Sequence, residues 1–200
     1  DRQTIDSFTI SGSTGADTIN VVDGLPNFSK VNFNGAFSPI SFQNKARLDV
    51  RGLNNNDVIN LNNPNKAAGL VVTNVNGGTG ADTINVLVSN TGDLVGADGD
   101  DKFVISDGVS LIGDTNNVIQ GAAGSDTIDL SVVTLAQTVQ LLSTTANGFT
   151  GNSSQLLPTL GNQFTGIDVV RGSSANDQLL GLNSNATWRV NGSNAYVESA

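Results

Sequence analysis

The chain has 200 residues, enough for one domain or two small ones, and 38% of them are hydrophobic with only 5% aromatic, so a core must come from Val, Ile and Leu. The net charge of −9, with nine scattered Lys and Arg, argues against a nucleic-acid binder, which needs a basic patch. With no Cys and no His, disulfide frameworks, Ser-His-Asp triads and thiol nucleophiles are all excluded.

Helix formers are scarce, since Glu198 is the sole glutamate, whereas Gly, Asn, Ser and Thr abound. That balance predicts strands and turns. No apolar run approaches the roughly 20 residues of a spanning helix, so membrane insertion is not expected. The chain opens on Asp1 rather than Met, which reads as a mature product or a segment of a longer polypeptide.

In chain order, six segments share one ruler: ISGSTGADTINV, VRGLNNNDVINL, VNGGTGADTINV, LVGADGDDKFVI, IQGAAGSDTIDL and VRGSSANDQLLG. They align on Asp17, Asp57, Asp82, Asp101, Asp126 and Asp177. Five residues earlier stands a glycine: Gly12, Gly52, Gly77, Gly96, Gly121 and Gly172. Seven earlier is an aliphatic residue, from Ile10 to Val170, and two earlier is Gly, Asn or Ala. Two later is apolar: Ile19, Ile59, Ile84, Phe103, Ile128 and Leu179.

Apolar residues at alternate positions after the aspartate mark a strand with one buried face. The aliphatic residue before the glycine ends the preceding strand. The Gly and Asn positions between them suit left-handed backbone angles. The unit is strand, sharp corner, strand, and the carboxylate can accept hydrogen bonds from turn amides.

The aspartates are 40, 25, 19, 25 and 51 residues apart. Gaps of 19 to 25 suit one coil of a β-solenoid, and the gaps of 40 and 51 would hold two coils each. Loops are expected near 60–69 and 143–162. One unit cannot bury its apolar face, but units stacked about 4.8 Å apart can. Stacked asparagines would form amide ladders. The expected architecture is all-β, a right-handed parallel β-solenoid of β-helix or β-roll type, over residues 1–200 as a single repetitive unit. A β-sandwich is the alternative, and parallel against antiparallel pairing separates the two.

The stretch GGTGADTIN resembles the nonapeptide of RTX proteins, Gly-Gly-x-Gly-x-Asp-x-apolar-x, through Gly77, Gly78, Gly80, Asp82 and Ile84. The other five copies replace the second glycine. Together with FTGIDVVRGSSANDQLLG and TWRVNGSNA, they look like units of long bacterial surface proteins, adhesins and surface-layer or matrix proteins among them. The resemblance implies a parallel β-roll or β-helix, secretion to the bacterial cell surface, and calcium at the corners. Contiguous nonapeptides build the RTX calcium sites, whereas here the motifs stand apart.

Calcium takes six to eight oxygens, and the candidate ligands are Asp98, Asp100 and Asp101 of GADGDD, joined by Asp82 or Asp126 from stacked neighbours. The competing role is that each aspartate ties its own turn. Ionised aspartates stacked about 5 Å apart repel, so a ladder needs cations, offset or hydrogen bonds.

The leading reading is a structural module, a stalk, filament or surface component, that continues end to end with adjacent repeats or with another copy. The alternatives are a calcium-dependent adhesin module binding a glycan, and a polysaccharide-active β-helix using Asp98, Asp100, Asp101 and Lys102. No enzyme activity is expected. Arg51 and Arg171 suit surface salt bridges. The sequons at Asn27, Asn152, Asn185 and Asn191 carry no glycosylation signal in so Asn-rich a chain, and Trp188 and Tyr196 suit the packing of a terminal coil.

Overall fold

The structure is a computed structural model describing residues 6–34, 37–153, 155–158, 163–182, 188–191 and 195–198, the last two groups by their backbone. It is all-β, with no helix among the described residues. In chain order the strands are β1 (Ser7–Ser11), β2 (Thr18–Asp23), β3 (Ser29–Phe33), β4 (Ile40–Phe42), β5 (Arg47–Asn54), β6 (Val58–Asn62) and β7 (Val72–Thr79). There follow β8 (Thr83–Val86), β9 (Asn90–Thr91), β10 (Leu94–Asp98), β11 (Lys102–Ile105), β12 (Leu111–Ile112), β13 (Asn117–Ala123) and β14 (Thr127–Asp129). The last are β15 (Thr138–Thr145), β16 (Gly148–Ser153), β17 (Gln163–Ile167), β18 (Val169–Arg171), β19 (Gln178–Leu180), β20 (Trp188–Asn191) and β21 (Ala195–Glu198).

The strand before each corner and the strand after it belong to different sheets. The first sheet runs β1-β5-β7-β10-β13-β17 in parallel and then continues through β16, β15 and β19. In the second, β2-β6-β8-β11-β14-β18 are parallel. Short β9 and β12 pair in parallel as a third sheet. Antiparallel pairs flank this parallel centre. At one end of the second sheet β3 and β4 cover β2, and at the other β21 and β20 cover β18.

Register places like residues in file. Ile19, Ile59, Ile84, Phe103, Ile128 and Val170 face inward across the second sheet. Ile10, Val50, Val75, Leu94, Ile119 and Phe164 do so across the first. All are buried. Burying a side chain of this size contributes about 1.5–3 kcal/mol, so the period-two pattern is what drives the two sheets together. Phe42 of β4 reaches over the end of this core to Phe8 of β1, with ring centroids 5.1 Å apart.

Four expectations need correction. The 40 residues between Asp17 and Asp57 make one step rather than two coils, because Thr18 pairs with Val58, and the surplus length folds out as β3 and β4. Within the stretch 143–162 expected as a loop, Ser143–Thr145 ends β15, which turns back antiparallel into β16, while 154 and 159–162 lie outside the described residues. Likewise Asn60–Asn62 belongs to β6, and in the connection after it Asn63, Ala67 and Leu70 are buried. Val170 does not end a strand of the first sheet; Phe164 holds that place, and Val170 lies opposite Ile128.

Candidate functional site

The corner glycine is required by space rather than by dihedral angle. Its φ is ordinary at all six corners, but a Cβ on Gly52, Gly77 or Gly121 would collide with Oδ2 of its own aspartate and with the carbonyl oxygen of the next corner. Left-handed angles fall instead four and two residues before the aspartate. They occur at Leu53 and Asn55, Gly78 and Gly80, Ala97 and Gly99, and Ala122 and Gly124. Every interior corner therefore has the same two-point bend, although Leu53, Ala97 and Ala122 are not residues that favour it.

This bend turns the aspartates inward, one behind another. The backbone N–H of Asp17 donates to Oδ1 of Asp57 at 2.7 Å, and that of Asp57 to Oδ1 of Asp82 at 2.7 Å. The N–H of Asp82 donates to Oδ1 of Asp101 at 2.8 Å, and that of Asp101 to Oδ1 of Asp126 at 2.9 Å. A sixth member closes the file, since the Asp126 N–H donates to Oδ2 of Asp168 at 2.8 Å. The residue after each aspartate donates back to the previous aspartate's carbonyl, from Val58 to Asp17 through to Val169 to Asp126.

Asp177 is absent from this file. Its Oδ1 accepts the N–H of Gln137 at 2.7 Å, and Gln178 donates back to the Gln137 carbonyl, a separate corner pair joining β15 and β19. Asp168 lacks the glycine five residues earlier, which is why the shared ruler passes over it. A usable signal was present in GID, where Gly166 two residues before is left-handed like its counterparts. Gln137 in AQTVQL reads as the same corner with an amide in place of the acid.

The interior carboxyls are buried: Asp57, Asp82, Asp101 and Asp126 are 0–2% exposed, and Oδ2 of each has no hydrogen-bond partner. Burial is the main force on their acidity. It pushes Asp82 to about 6, Asp101 to about 7 and Asp126 to about 6, against the lowering effect of the amide each accepts, and it raises Asp57 as well.

The five candidate calcium ligands do not converge. Asp82, Asp101 and Asp126 sit in file with Oδ1 committed to an amide and Oδ2 pressed against the corner glycine. Asp98 and Asp100 are exposed, and Oδ1 of Asp100 accepts the Ser125 N–H at 2.8 Å. Among the described residues no group of three or more acidic side chains is placed to hold a metal together.

Lys102 is also drawn elsewhere, its Nζ lying 2.7 Å from Oδ2 of Asp129, which Arg171 approaches at 3.4 Å. Arg51 makes no ion pair among the described residues. It lines a shallow groove of about 550 Å³ with Asp49, Asn74, Asn76 and Asp93, on a wall without an aromatic side chain. The expected asparagine ladder is present: Nδ2 of Asn85 donates to Asn60 at 2.7 Å, and Nδ2 of Asn60 to Asn20 at 2.8 Å. The side chains of Trp188 and Tyr196, and the sequon residues Ser154, Asn185 and Ser193, lie outside the described residues.

No family model, curated protein or solved structure matches the chain.

Proposed function

We propose that the chain is a structural module, a parallel β-solenoid whose coils stack through the aspartate corners, serving in an extracellular or cell-surface protein of bacterial type. One observation carries this reading: successive strands alternate between two sheets while each corner lies in register on the next. A chain that alternates in this way winds as it advances, and the preferred hand of parallel crossovers makes the winding right-handed. The extracellular setting rests on the likeness of Gly77–Ile84 to the RTX nonapeptide.

The antiparallel pairs at both ends of the second sheet act as caps, which sheets use to prevent uncontrolled edge pairing. In the first sheet the outer edge of β1 takes no strand among the described residues. Continuation into another repeat or a second copy would use that edge.

Length variants test the winding. Removing Thr83–Asp101 joins Asp82 to Lys102, which already pairs with Thr83 in register. The shortened chain should fold with the same β spectrum and unfold cooperatively, and a chain with that segment duplicated should lengthen by about 4.8 Å in solution scattering. A duplicated chain of unchanged length would overturn the solenoid. The setting is tested by antibody labelling of intact source cells, where label confined to the cell interior would refute it.

A further inference from the structure

The end of the stack that carries Asp17 is stepped. β1 and β2 flank the same corner, and among the described residues nothing lies beyond β1 in the first sheet, whereas β3 and β4 extend the second sheet two strands past β2. The outermost strands, β1 and β4, each leave one edge without a neighbour among the described residues.

The open side of β1 follows from the bonds on its other side. The Asp6 carbonyl accepts the Ala46 N–H at 3.0 Å, and the Gly12 N–H donates to the Arg51 carbonyl at 2.7 Å, so the even-numbered residues face β5. Alternation along the strand turns the N–H and C=O of Ser7, Thr9 and Ser11 to the open side. Neither a charge nor a proline guards this Ser-Phe-Thr-Ile-Ser run, although edges are commonly guarded by one or the other.

The core is unfinished at the same two edges. Ile40 lies opposite Val31, and Phe42 opposite Ser29; Val31, Phe42 and Ser29 are buried, which puts Ile40 on the core-facing side of β4. Ile40 is nevertheless 39% exposed. Phe8 shares the core-facing side of β1 with buried Ile10 and is only half-buried. Inward-facing apolar side chains at the rim of a stack are covered by the next strand, and here that strand is missing among the described residues.

We propose that this end docks on the same end of a second copy, about a two-fold axis that crosses the stack. The inference rests on the stacked-corner reading and names its partner. The first sheet of one copy runs on into the second sheet of the other, so that β1 meets the partner's β4 and β4 meets the partner's β1. The step then fits itself: at each of the two junctions β3 and β4 of one copy stand between its β2 and the other's β1. Main-chain hydrogen bonds join the edges, as in strand addition, and the partner's Phe8 and Ile10 come alongside Ile40.

Other joints do not match strand for strand. Like sheet against like would leave no strand between the two β1 strands and four between the two β2 strands. Head to tail, the far end contributes β16, β15 and β19 beyond β17 but only β21 and β20 beyond β18. The first sheet would then hold three strands where the second, with β4 and β3 of the following copy, holds four.

Sedimentation velocity of the full chain across about a hundredfold range of concentration tests the joint. The wild type should dimerise reversibly and stop there, because a two-fold contact closes on itself. Thr9→Pro removes an outward N–H and leaves the β5 side of β1 intact, a change that an edge strand tolerates. Ile40→Lys sets a charge on the face that the partner's core must cover. Each change is met twice in the dimer, so each should raise its dissociation constant about tenfold or more. Val132→Lys, at a 55% exposed residue after β14, should leave the dimer unchanged. Far-UV circular dichroism reports whether each variant folds, and Ile40→Lys decides if Thr9→Pro does not. A wild type that is monomeric throughout, a dimer that survives both edge variants, or assemblies that grow past the dimer would each overturn the proposal. If the coil-deleted chain still folds while the wild type stays monomeric, the two-fold joint falls and the stack stands.

Discussion

Asp82 and Asp101 are 19 residues apart, yet the amide of the first donates to the carboxyl of the second at 2.8 Å, and the Lys102 amide returns the contact by donating to the Asp82 carbonyl. The same pair of bonds joins Asp57 to Asp82 across 25 residues and Asp126 to Asp168 across 42, although there the contact uses Oδ2. The length of chain between corners is thus free to vary while the corner-to-corner geometry is held. This explains how irregular spacing coexists with parallel register, and why the surplus residues before Asp57 can leave as the strands Ser29–Phe33 and Ile40–Phe42 without disturbing the stack.

Gly77→Ala should damage a corner by overpacking it. Its new Cβ would strike Oδ2 of Asp82 and the Gly96 carbonyl, neither of which can withdraw without breaking a rung. Overpacking of this kind costs about 1–3 kcal/mol. Gly15→Ala is the matched control, since its Cβ would meet nothing nearer than Ser13 Oγ at 3.7 Å and its φ is not left-handed. Reducing backbone freedom in the unfolded chain should leave that variant neutral or more stable by up to about 1 kcal/mol. Urea midpoints of the two variants check the contrast.

Ala97→Gly should stabilise, against the usual direction. Ala97 has φ 86° and pairs with Gly78, whose φ is 115°. An L-residue in left-handed conformation costs about 1–2 kcal/mol, while the added flexibility of Gly returns about 0.5–1 kcal/mol of that to the unfolded state. The net gain should be about 0.5 kcal/mol. Gly78→Ala should destabilise, because its Cβ would also run into the Leu53 carbonyl. Thermal midpoints measured side by side give both signs.

The fold class could be read in the sequence because Ile19 and Val21, or Ile84 and Val86, announce a one-faced strand without help from tertiary context. The corner glycines were found for a reason that proved different. Gly77 excludes a side chain, whereas the bend itself falls at Gly78 and Gly80. Asp168 and Gln137 escaped because the glycine ruler detects crowding against Oδ2, and their corners are built without that glycine. The antiparallel pairs flanking the stack carry no corner signature at all. Clustering of Asp98, Asp100 and Asp101 suggested convergence that the backbone denies, since neighbours in a bent segment point different ways and Asp101 alone turns inward.

The amide ladder offers a graded test. Asn60 donates to Asn20 and accepts from Asn85, so Asn60→Ala removes two side-chain bonds, whereas Asn85→Ala removes one. At about 1 kcal/mol net per bond, the losses should be about 2 and about 1 kcal/mol. Equal losses would mean that strand propensity rather than the ladder sets the cost. Equilibrium unfolding of the two variants resolves the difference.

Asp129 should titrate with the opposite sign to the corner acids. Burial pushes its carboxyl up, but the Lys102 ammonium and the hydroxyl and amide of Ser131 together outweigh burial and hold it below the usual 3.8. The Ser131 amide donates at 3.0 Å and the Lys102 ammonium lies 2.7 Å away. A depressed folded-state value gives stability that is complete above the unfolded value and is lost as pH falls below it. Combined with the corner acids, stability should peak near the unfolded value of 3.8, falling on the acid side through Asp129 and on the alkaline side through the corners until the folded values of about 6 to about 7 are passed. Asp129→Asn should cost about 1–2 kcal/mol at the peak, a modest figure because Lys102 and Arg171 are 41% and 45% exposed and screened by water. The variant should also lose part of the acid limb while keeping the alkaline one, and a pH series of urea midpoints reads both limbs in one experiment.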